Sequence, residues 1–183
     1  MRSTGILRKV DELGRIVIPK EIRKNFRIRE GDPLEIYVEK NGEILLKKYA
    51  PFGSMLDTII QYADALAITS GMYACVTDTE TVITMSGLPR QDQDYVTRAI
   101  SDHVINVMEE RAIWSTKVDS VMPIIDGENT AKYKSQIISP IICDADAVGA
   151  VILFSFDNKK KITDVEYKLA QTASYFLGKQ MEP

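Results

Sequence analysis

The sequence predicts an α+β protein with a small basic domain over residues 1–50, a linker over 51–54 and a larger mixed α/β domain over 55–183. Charge changes along the chain: residues 1–50 hold 12 Lys and Arg against 8 Asp and Glu, a net charge of +4, whereas all 183 residues together carry −3. The pattern also changes, from short alternating segments between turn residues to longer amphipathic helices and two strongly apolar strands. A composition of 45% hydrophobic and 27% charged residues is typical of a globular protein with a core.

The first elements of the basic domain are a hairpin and a helix. Residues 5–10 and 15–18 are predicted strands, joined by a turn of four residues over 11–14. Pro19 ends the second strand, because its fixed φ and missing N–H suit the first turn of a helix. The helix is predicted over 20–27.

A second hairpin follows a break over residues 31–33. Residues 34–39 alternate between apolar side chains and charged or aromatic ones, which is typical of a strand with one buried face. Asn41 and Gly42 are the pair favoured in a type I′ turn, and 43–48 is the predicted returning strand.

The basic domain is too small to be stable alone. Fifty residues without disulfide or metal bury too little surface. Ile16, Val17 and Ile18 are apolar on both faces of their strand, so both faces should be covered. Ile22 and Phe26, four residues apart, share a helix face that we expect to be buried. We therefore predict a two-fold, intertwined dimer in which a second copy supplies the cover.

The larger domain is predicted to be a mostly antiparallel sheet with helices packed on it. Capping-box patterns, Ser54 with Asp57 and Thr163 with Glu166, open its first and last helices. The elements expected in order are a helix over 55–70, strands over 73–77 and 81–86, a helix over 92–110, a strand over 121–124, a polar loop over 126–132, strands over 136–143 and 148–156 around a turn at 144–147, and the last helix from Thr163.

Cations of the basic domain are the candidate functional residues. They are Arg8, Lys9, Arg15, Lys20, Arg23 and Lys24. A turn of four residues sets Val10 opposite Arg15, which places Arg8 and Arg15 on one face as diagonal neighbours. Lys20, Arg23, Lys24 and Arg27 share a helical stripe. The cluster is either a solvated surface or a nucleic-acid-binding face; Arg on the strands and doubling in a dimer favour the second.

Residues 3–49 read STGILRKVDELGRIVIPKEIRKNFRIREGDPLEIYVEKNGEILLKKY. This stretch resembles the N-terminal DNA-binding domain of the AbrB family of transition-state regulators. The resemblance implies a swapped-hairpin β-barrel dimer that binds double-stranded DNA with a loose consensus, partly through DNA shape. It implies that Arg8, Arg15, Arg23 and Lys24 face DNA. Lys24 is often Arg in relatives, so a phosphate contact is expected there. The weaker candidates are Lys9 and Lys20, followed by Arg2, Arg27 and Arg29.

The whole chain, with SPIICDADAVGAVILFS near its end and a final amphipathic helix, resembles the sporulation regulators of that family. In these a helical linker leads to a GAF-like α/β domain. The resemblance implies a transcription factor of spore-forming bacteria that activates some forespore genes and represses others. We expect a cytoplasmic, nucleoid-associated protein, since no stretch is apolar and long enough for a membrane span and the N-terminus lacks a signal-peptide core.

Enzyme chemistry is not indicated in the larger domain. No Gly-rich phosphate loop, HExxH or GxSxG motif occurs. His103 falls on the apolar side of its predicted helix and is expected in the core. Cys75 and Cys143 form no CxxC pair and are expected to be small buried hydrophobes. Asp144 and Asp146 are expected as turn residues. We therefore predict no catalytic residue, no metal and no cofactor.

Two roles remain open for the larger domain. A GAF-like fold implies a small-molecule effector pocket between the sheet and the polar segments 86–90 and 126–134. Cyclic nucleotides are disfavoured, because Asn158 and Lys159 lack the rest of the signature. A ligand-free oligomerisation platform is as well supported, with helix 55–70 and the last helix joining two dimers into a homotetramer. The alternative for the whole protein is an antitoxin that neutralises a protein toxin through a flexible tail.

Overall fold

The structure, a computed structural model, describes residues 5–26, 28, 30–31, 34–48, 52–89, 95–117 and 120–182. These residues belong to two units, Met1–Ala50 and Pro51–Pro183.

The first unit contains one short helix and one hairpin. Helix α1 is Lys20–Asn25, strand β1 is Leu34–Val38 and strand β2 is Ile44–Lys48. Pro19 is the N-cap of α1, and its carbonyl accepts the N–H of Arg23 at 2.9 Å. The helix ends before the predicted boundary, with Phe26 as its C-cap, and Arg27 lies outside the described residues.

The two hairpin turns of the first unit, over residues 11–15 and 39–43, have the same geometry. This geometry differs from the one predicted for each of them. In the second, the N–H of Gly42 donates to the carbonyl of Glu39 at 3.0 Å, and Glu39 pairs with Glu43 across a three-residue loop. Gly42 has φ of 83° and Asn41 has no positive φ, so the predicted type I′ turn is wrong. Instead the side chain of Asn41 accepts the N–H of Glu43 at 3.1 Å, which favours a type I turn closed by a glycine bulge.

The first turn follows this pattern. The N–H of Gly14 donates to the carbonyl of Asp11 at 3.0 Å, and the N–H of Asp11 donates to the carbonyl of Arg15, also at 3.0 Å. Gly14 has φ of 75°. Asp11, and not Val10, therefore stands opposite Arg15. The predicted register is wrong by one residue, because the loop has three residues instead of four.

The predicted strands over 5–10 and 15–18 form no ladder among the described residues. Ile16, Val17 and Phe26 are 55%, 71% and 68% exposed, so the expected cover is not supplied within one chain. Ile18 and Ile22 are half-buried.

One face of the β1–β2 hairpin carries four apolar side chains next to its turn. Ile36 pairs with Leu46 and Val38 pairs with Ile44, so all four side chains point to the same side. Their exposed fractions are 65%, 45%, 75% and 65%, respectively. These four residues are called the apolar hairpin face below.

The second unit is a five-stranded antiparallel sheet with helices on both faces. Its elements are α2 Leu56–Ser70, β3 Tyr73–Thr77, β4 Val82–Ser86, α3 Asp102–Glu110, β5 Trp114–Ser115, β6 Ser135–Cys143, β7 Asp146–Ser155 and α4 Asp164–Met181. The strand order is β4-β3-β7-β6-β5. The two-residue turn between β6 and β7 is of type I′, because both of its residues, Asp144 and Ala145, have positive φ, at 48° and 70°.

The two sheet faces carry separate apolar cores. The core under α2 and α4 includes Ile59, Ala63, Leu66, Val76, Ile137, Ile141, Leu153, Ala173 and Leu177. The core under α3 includes Cys75, Val104, Val107, Ile124, Ile125, Tyr133, Ile138, Ile152 and Phe154. Helix α4 approaches the sheet closely at Gly178, where a Cβ would lie 2.1 Å from the carbonyl oxygen of Ile142.

The helix predicted over 92–110 is shorter in the structure. Residues 90–94 lie outside the described part, and α3 begins after Ser101, whose hydroxyl caps the N–H of Val104 at 3.4 Å. Ile100 pairs its backbone with Glu80 and Ile125 instead, so strand-like pairing overrides the helical spacing before Ser101. His103 is exposed, which contradicts its expected place in the core.

Of three further predictions for the second unit, one is confirmed and two are wrong. The capping box of Thr163 and Glu166 is confirmed. The one expected at Ser54 is wrong, because Met55 is the N-cap of α2 and no side chain caps it. Residues 121–124 form no strand; the backbone of Met122 is held by the Gln136 side chain at 3.0 Å, and β5 takes the sheet edge.

Candidate nucleic-acid interface

Five of the six candidate cations are exposed and in no ion pair with any residue that the structure describes. They are Arg8, Lys9, Lys20, Arg23 and Lys24. Arg8 donates to the carbonyl of Leu7 at 3.1 Å, a contact within one dipeptide. Arg2, Arg27 and Arg29 lie outside the described residues.

The cations of α1 occupy one exposed helical surface. Lys20, Arg23 and Lys24 are spaced by three and four residues on a helix of six residues, and no residue of α1 is fully buried. Like charges at this spacing repel each other. The surface is therefore suited to a polyanion that neutralises all three.

The sixth cation, Arg15, lies at the base of the first turn and is paired with Asp11. Its Nε lies 2.8 Å from Oδ2 of Asp11, and its side chain is 69% exposed. Oδ1 of the same carboxylate accepts the N–H of Arg15 at 2.8 Å and the N–H of Leu13 at 3.0 Å. Hydrogen bonds from the backbone and side chain of Arg15, and from Leu13, hold the pKa of Asp11 below its ordinary value.

The register of the first turn changes which cation accompanies Arg15. Because Asp11 pairs with Arg15, pairing extended from that point would place Lys9, and not Arg8, on the Arg15 face. The expectation that Arg8 and Arg15 are diagonal neighbours rested on the four-residue turn and is not supported.

An open cleft of about 430 Å³ lies in the second unit on the α3 side of the sheet. It is lined by Tyr95, Arg98, Ile125, Gly127, Glu128, Asn129, Ala131 and Lys132. The predicted segment 126–134 therefore lines a cleft. Residues 86–89 are not among the lining residues, and Arg90 of the predicted segment lies outside the described residues.

The cleft floor is a polar network around Glu128, whose side chain is 5% exposed. Oε2 accepts the hydroxyl of Tyr133 at 2.8 Å and the N–H of Ile124 at 3.2 Å, while Oε1 lies 3.1 Å from Nζ of Lys132. Lys132 also donates to the hydroxyl of Tyr95. Sequence reasoning missed this network, although the i, i+4 spacing of Glu128 and Lys132, like that of Asp11 and Arg15, was visible.

Burial governs the titration of these groups. Burial raises the pKa of Tyr133 far above its ordinary value, and the Glu128 carboxylate adds to the shift. For Lys132, burial lowers the pKa, but hydrogen bonds to Tyr95 and Glu128 more than offset this, so the net shift is upward. Burial also raises the pKa of Cys75, so this thiol stays protonated at neutral pH. Cys75 is fully buried as expected, whereas Cys143 is only half-buried.

Among the described residues, no helix is long and apolar enough to cross a membrane. Within the same residues, no group of three or more His, Cys, Asp and Glu is placed to hold a metal ion.

Comparisons with known proteins address both units. A family model described as "Stage V sporulation protein T C-terminal, transcription factor" matches residues 55–182, and one described as "Antidote-toxin recognition MazE, bacterial antitoxin" matches residues 7–54. Stage V sporulation protein T of Bacillus subtilis is 40% identical over 182 residues, covering 100% of this chain and 99% of the relative. The transition state regulatory protein AbrB of the same organism is 63% identical over 51 residues, 28% of this chain and 52% of AbrB.

A solved structure of a GAF domain/HD domain protein from Geobacter sulfurreducens has a TM-score of 0.55 at 11% identity, covering 69% of this chain and 91% of its own. At this identity the likeness is one of fold, and the predicted GAF-like fold is confirmed. The chain is a transcription regulator with an AbrB-type domain and a second domain of GAF-like fold. It belongs to the family of stage V sporulation protein T transcription factors. That family confirms the expectation that the chain is not an enzyme.

Proposed function

We propose that the protein controls sporulation genes by binding duplex DNA through the exposed cations of its first unit. The residues proposed to contact DNA are Arg8, Lys9, Arg15, Lys20, Arg23 and Lys24. The observation that carries the proposal is that five of these cations are exposed and unneutralised among the described residues. The family and the 63% identity to AbrB support it. Such a protein would be a cytoplasmic, nucleoid-associated activator of some genes and repressor of others.

Phosphate contacts are proposed to dominate the binding. Lys9, Lys20 and Lys24 carry compact charges that suit phosphates as point contacts, whereas Arg15 and Arg23 can also make bidentate contacts to a base edge. A surface with few base-reading groups gives affinity with a loose consensus, and DNA shape then supplies part of the selectivity.

The DNA-binding form is proposed to be a dimer, with a second copy covering the apolar side chains of the first unit. The apolar hairpin face and Ile16, Val17 and Phe26 are exposed within one chain. Among the described residues of this unit, Pro19 alone is buried. Exposed apolar side chains in this number mark an interface in a soluble protein. Because the surface belongs to a swapped-hairpin type of domain, an identical copy matches it in shape and length.

Three alanine substitutions separate DNA contact from dimer stability. Arg15→Ala and Arg23→Ala should each weaken binding to a duplex by about 1–3 kcal/mol per contact while leaving the thermal unfolding temperature nearly unchanged. Ile16→Ala should instead lower the stability of the dimer, by about 2 kcal/mol or more per chain. Fluorescence anisotropy measures the binding and calorimetry the unfolding. Equal losses of stability in all three variants would mean that the arginines are structural.

The second unit is proposed to pair two such dimers into a tetramer. Helix α2 exposes Leu56, Ile60 and Ile68, and α4 exposes Val165 and Tyr175, with exposed fractions between 38% and 83%. The rings of Phe176 on α4 and Tyr62 on α2 stack with their centroids 5.1 Å apart, so the two helices lie side by side. Pairing two basic dimers raises avidity for DNA through effective concentration.

The cleft around Lys132 is proposed as the site of a small-molecule effector. The cleft combines the buried carboxylate of Glu128 with the exposed side chains of Arg98 and Asn129. A few polar groups placed in this way can orient a bound ligand.

A metabolite panel tests the effector site by thermal shift of the full chain. A ligand at one hundred times its Kd should stabilise the folded unit by about 2.7 kcal/mol. The variant Lys132→Met should lose that shift while keeping the DNA affinity of the wild type. If no metabolite raises the unfolding temperature, the second unit acts as a ligand-free platform.

An antitoxin is the second candidate, because the model of that class matches residues 7–54. An antitoxin of this type would continue into a flexible toxin-binding tail. Residues 52–89, 95–117 and 120–182 instead belong to a unit with two buried cores, and the transcription-factor model matches 55–182. Regulation of transcription is therefore the better-supported function.

A further inference from the structure

The carboxylate of Asp11 does more than close the first turn. Oδ1 accepts two backbone N–H groups, of Leu13 and Arg15, and Oδ2 accepts Nε of Arg15 at 2.8 Å. One side chain therefore fixes both the backbone of the turn and the direction of the arginine that leaves it. Its neighbour Glu12, in the same turn and exposed, offers a comparison of equal charge.

The contact at Nε determines which edge of the Arg15 guanidinium is available. An arginine has five N–H donors, one on Nε and two on each terminal nitrogen. With Nε turned to Asp11, the terminal nitrogens remain for a partner, and the side chain is 69% exposed. Two terminal nitrogens match the paired O6 and N7 acceptors of guanine in the major groove.

We propose that Asp11 is a positioning residue that makes Arg15 a reader of base edges and weakens its use as a general phosphate contact. The inference rests on the proposed DNA-binding function. The negative charge of Asp11 repels nearby phosphates and offsets the charge of Arg15, which lowers affinity for any duplex. The charge of Asp11 does not remove the bidentate hydrogen bonds from Arg15 to a base, because these depend on the side-chain direction that Asp11 fixes. A pre-oriented side chain also loses less conformational entropy on binding.

The testing variant is Asp11→Asn. Asparagine keeps Oδ1 as an acceptor for the two backbone N–H groups, so the turn remains closed. It removes the charge and replaces Oδ2 by a donor that cannot pair with Nε. Glu12→Gln is the matched control, since it removes the same charge from the same turn. Arg15→Lys breaks the Nε contact from the other side and leaves Asp11 in place.

Binding is measured by anisotropy on two duplexes of equal length, one selected from a random pool by the wild-type protein and one of alternating adenine and thymine, which presents no guanine O6 and N7 pair. For Asp11→Asn we expect tighter binding to the second duplex and a ratio of the two affinities at least about tenfold lower, as for a lost bidentate contact. The salt slope on the second duplex should steepen by about 0.9 per added phosphate contact. Arg15→Lys should lower the ratio similarly, and Glu12→Gln should not.

Three results would overturn the proposal. One is an unchanged ratio in Asp11→Asn or in Arg15→Lys. Another is a fall in Glu12→Gln as large as that in Asp11→Asn, since net charge would then explain both. The third is a fall in the ratio of affinities caused by Asp11→Asn that persists in an Arg15→Ala background. If the wild-type protein binds neither duplex, the proposed function itself is contradicted. If the wild type binds DNA but discriminates between the two duplexes no better than Asp11→Asn, only the role of Asp11 is contradicted.

Discussion

Replacing Ile36 and Val38 together by glutamine is expected to abolish DNA binding while leaving the second unit folded. Both side chains belong to the apolar hairpin face, and they are 65% and 75% exposed in one chain. If a second copy buries them, each contributes about 1.5–3 kcal/mol to association. Both copies carry the change, so the dissociation constant of the dimer should rise by at least about a thousandfold, at 1.4 kcal/mol per factor of ten.

Sedimentation measures this result as a change of mass. The wild type should sediment as a tetramer, and the double variant as a dimer held together by α2 and α4 alone. Glu35→Gln with Glu39→Gln is the matched control, because these residues fall on the opposite side of the same strand by alternation. The control should keep both the wild-type mass and DNA binding. A double variant that keeps them too would show that the apolar hairpin face is not the dimer interface.

Salt is expected to weaken DNA binding steeply. If a dimer neutralises about 6–8 phosphates, log K falls with log salt at a slope of about −5 to −7, and affinity drops by about 10³- to 10⁴-fold between 50 and 200 mM. The exposed, unpaired cations of the first unit are the physical reason, because each displaces a condensed counterion from DNA.

The arginine of α1 provides the control for this measurement. Arg23→Ala removes one phosphate contact from each chain, so its slope should be shallower by about 2 in a dimer. Titrations of a labelled duplex at five salt concentrations give both slopes. A slope near zero in the wild type would exclude a mechanism dominated by phosphate contacts.

Much of the second unit could be predicted because its strands are buried on both faces. Strands β6 and β7 are rich in apolar residues in the sequence, and α4 opens with a complete capping box. Strand β5 could not be predicted, since two residues give no periodicity. The start of α3 was missed because Ile100 fits a helical face by spacing but pairs its backbone with two other segments.

The candidate site was predictable in its residue types and less so in its geometry. Charge counting and spacing indicated the basic cluster, and the resemblance to the AbrB family narrowed it to the six candidate cations. The register around Arg15 depends on the φ of Gly14 and on whether the loop has three or four residues, which residue identity alone does not determine. The role of Asp11 follows only from that geometry, because an i, i+4 pair outside a helix meets only when the turn closes.

A single chain does not bury the apolar residues of the first unit. Ile16, Val17 and Phe26 were expected in a core, yet they are exposed in one copy. The apolar pattern of a sequence reflects burial in the complete oligomer. Apolar residues that stay exposed in a single chain therefore indicate where association occurs.

Lysine acetylation with and without duplex DNA, read by mass spectrometry, tests the central claim most directly. The second unit supplies an internal comparison in the exposed run Lys159, Lys160 and Lys161. DNA bound by the first unit should protect Lys9, Lys20 and Lys24 from the reagent and leave the three lysines of that run as reactive as before. Protection of Lys159, Lys160 and Lys161, with Lys9, Lys20 and Lys24 unchanged, would contradict the account.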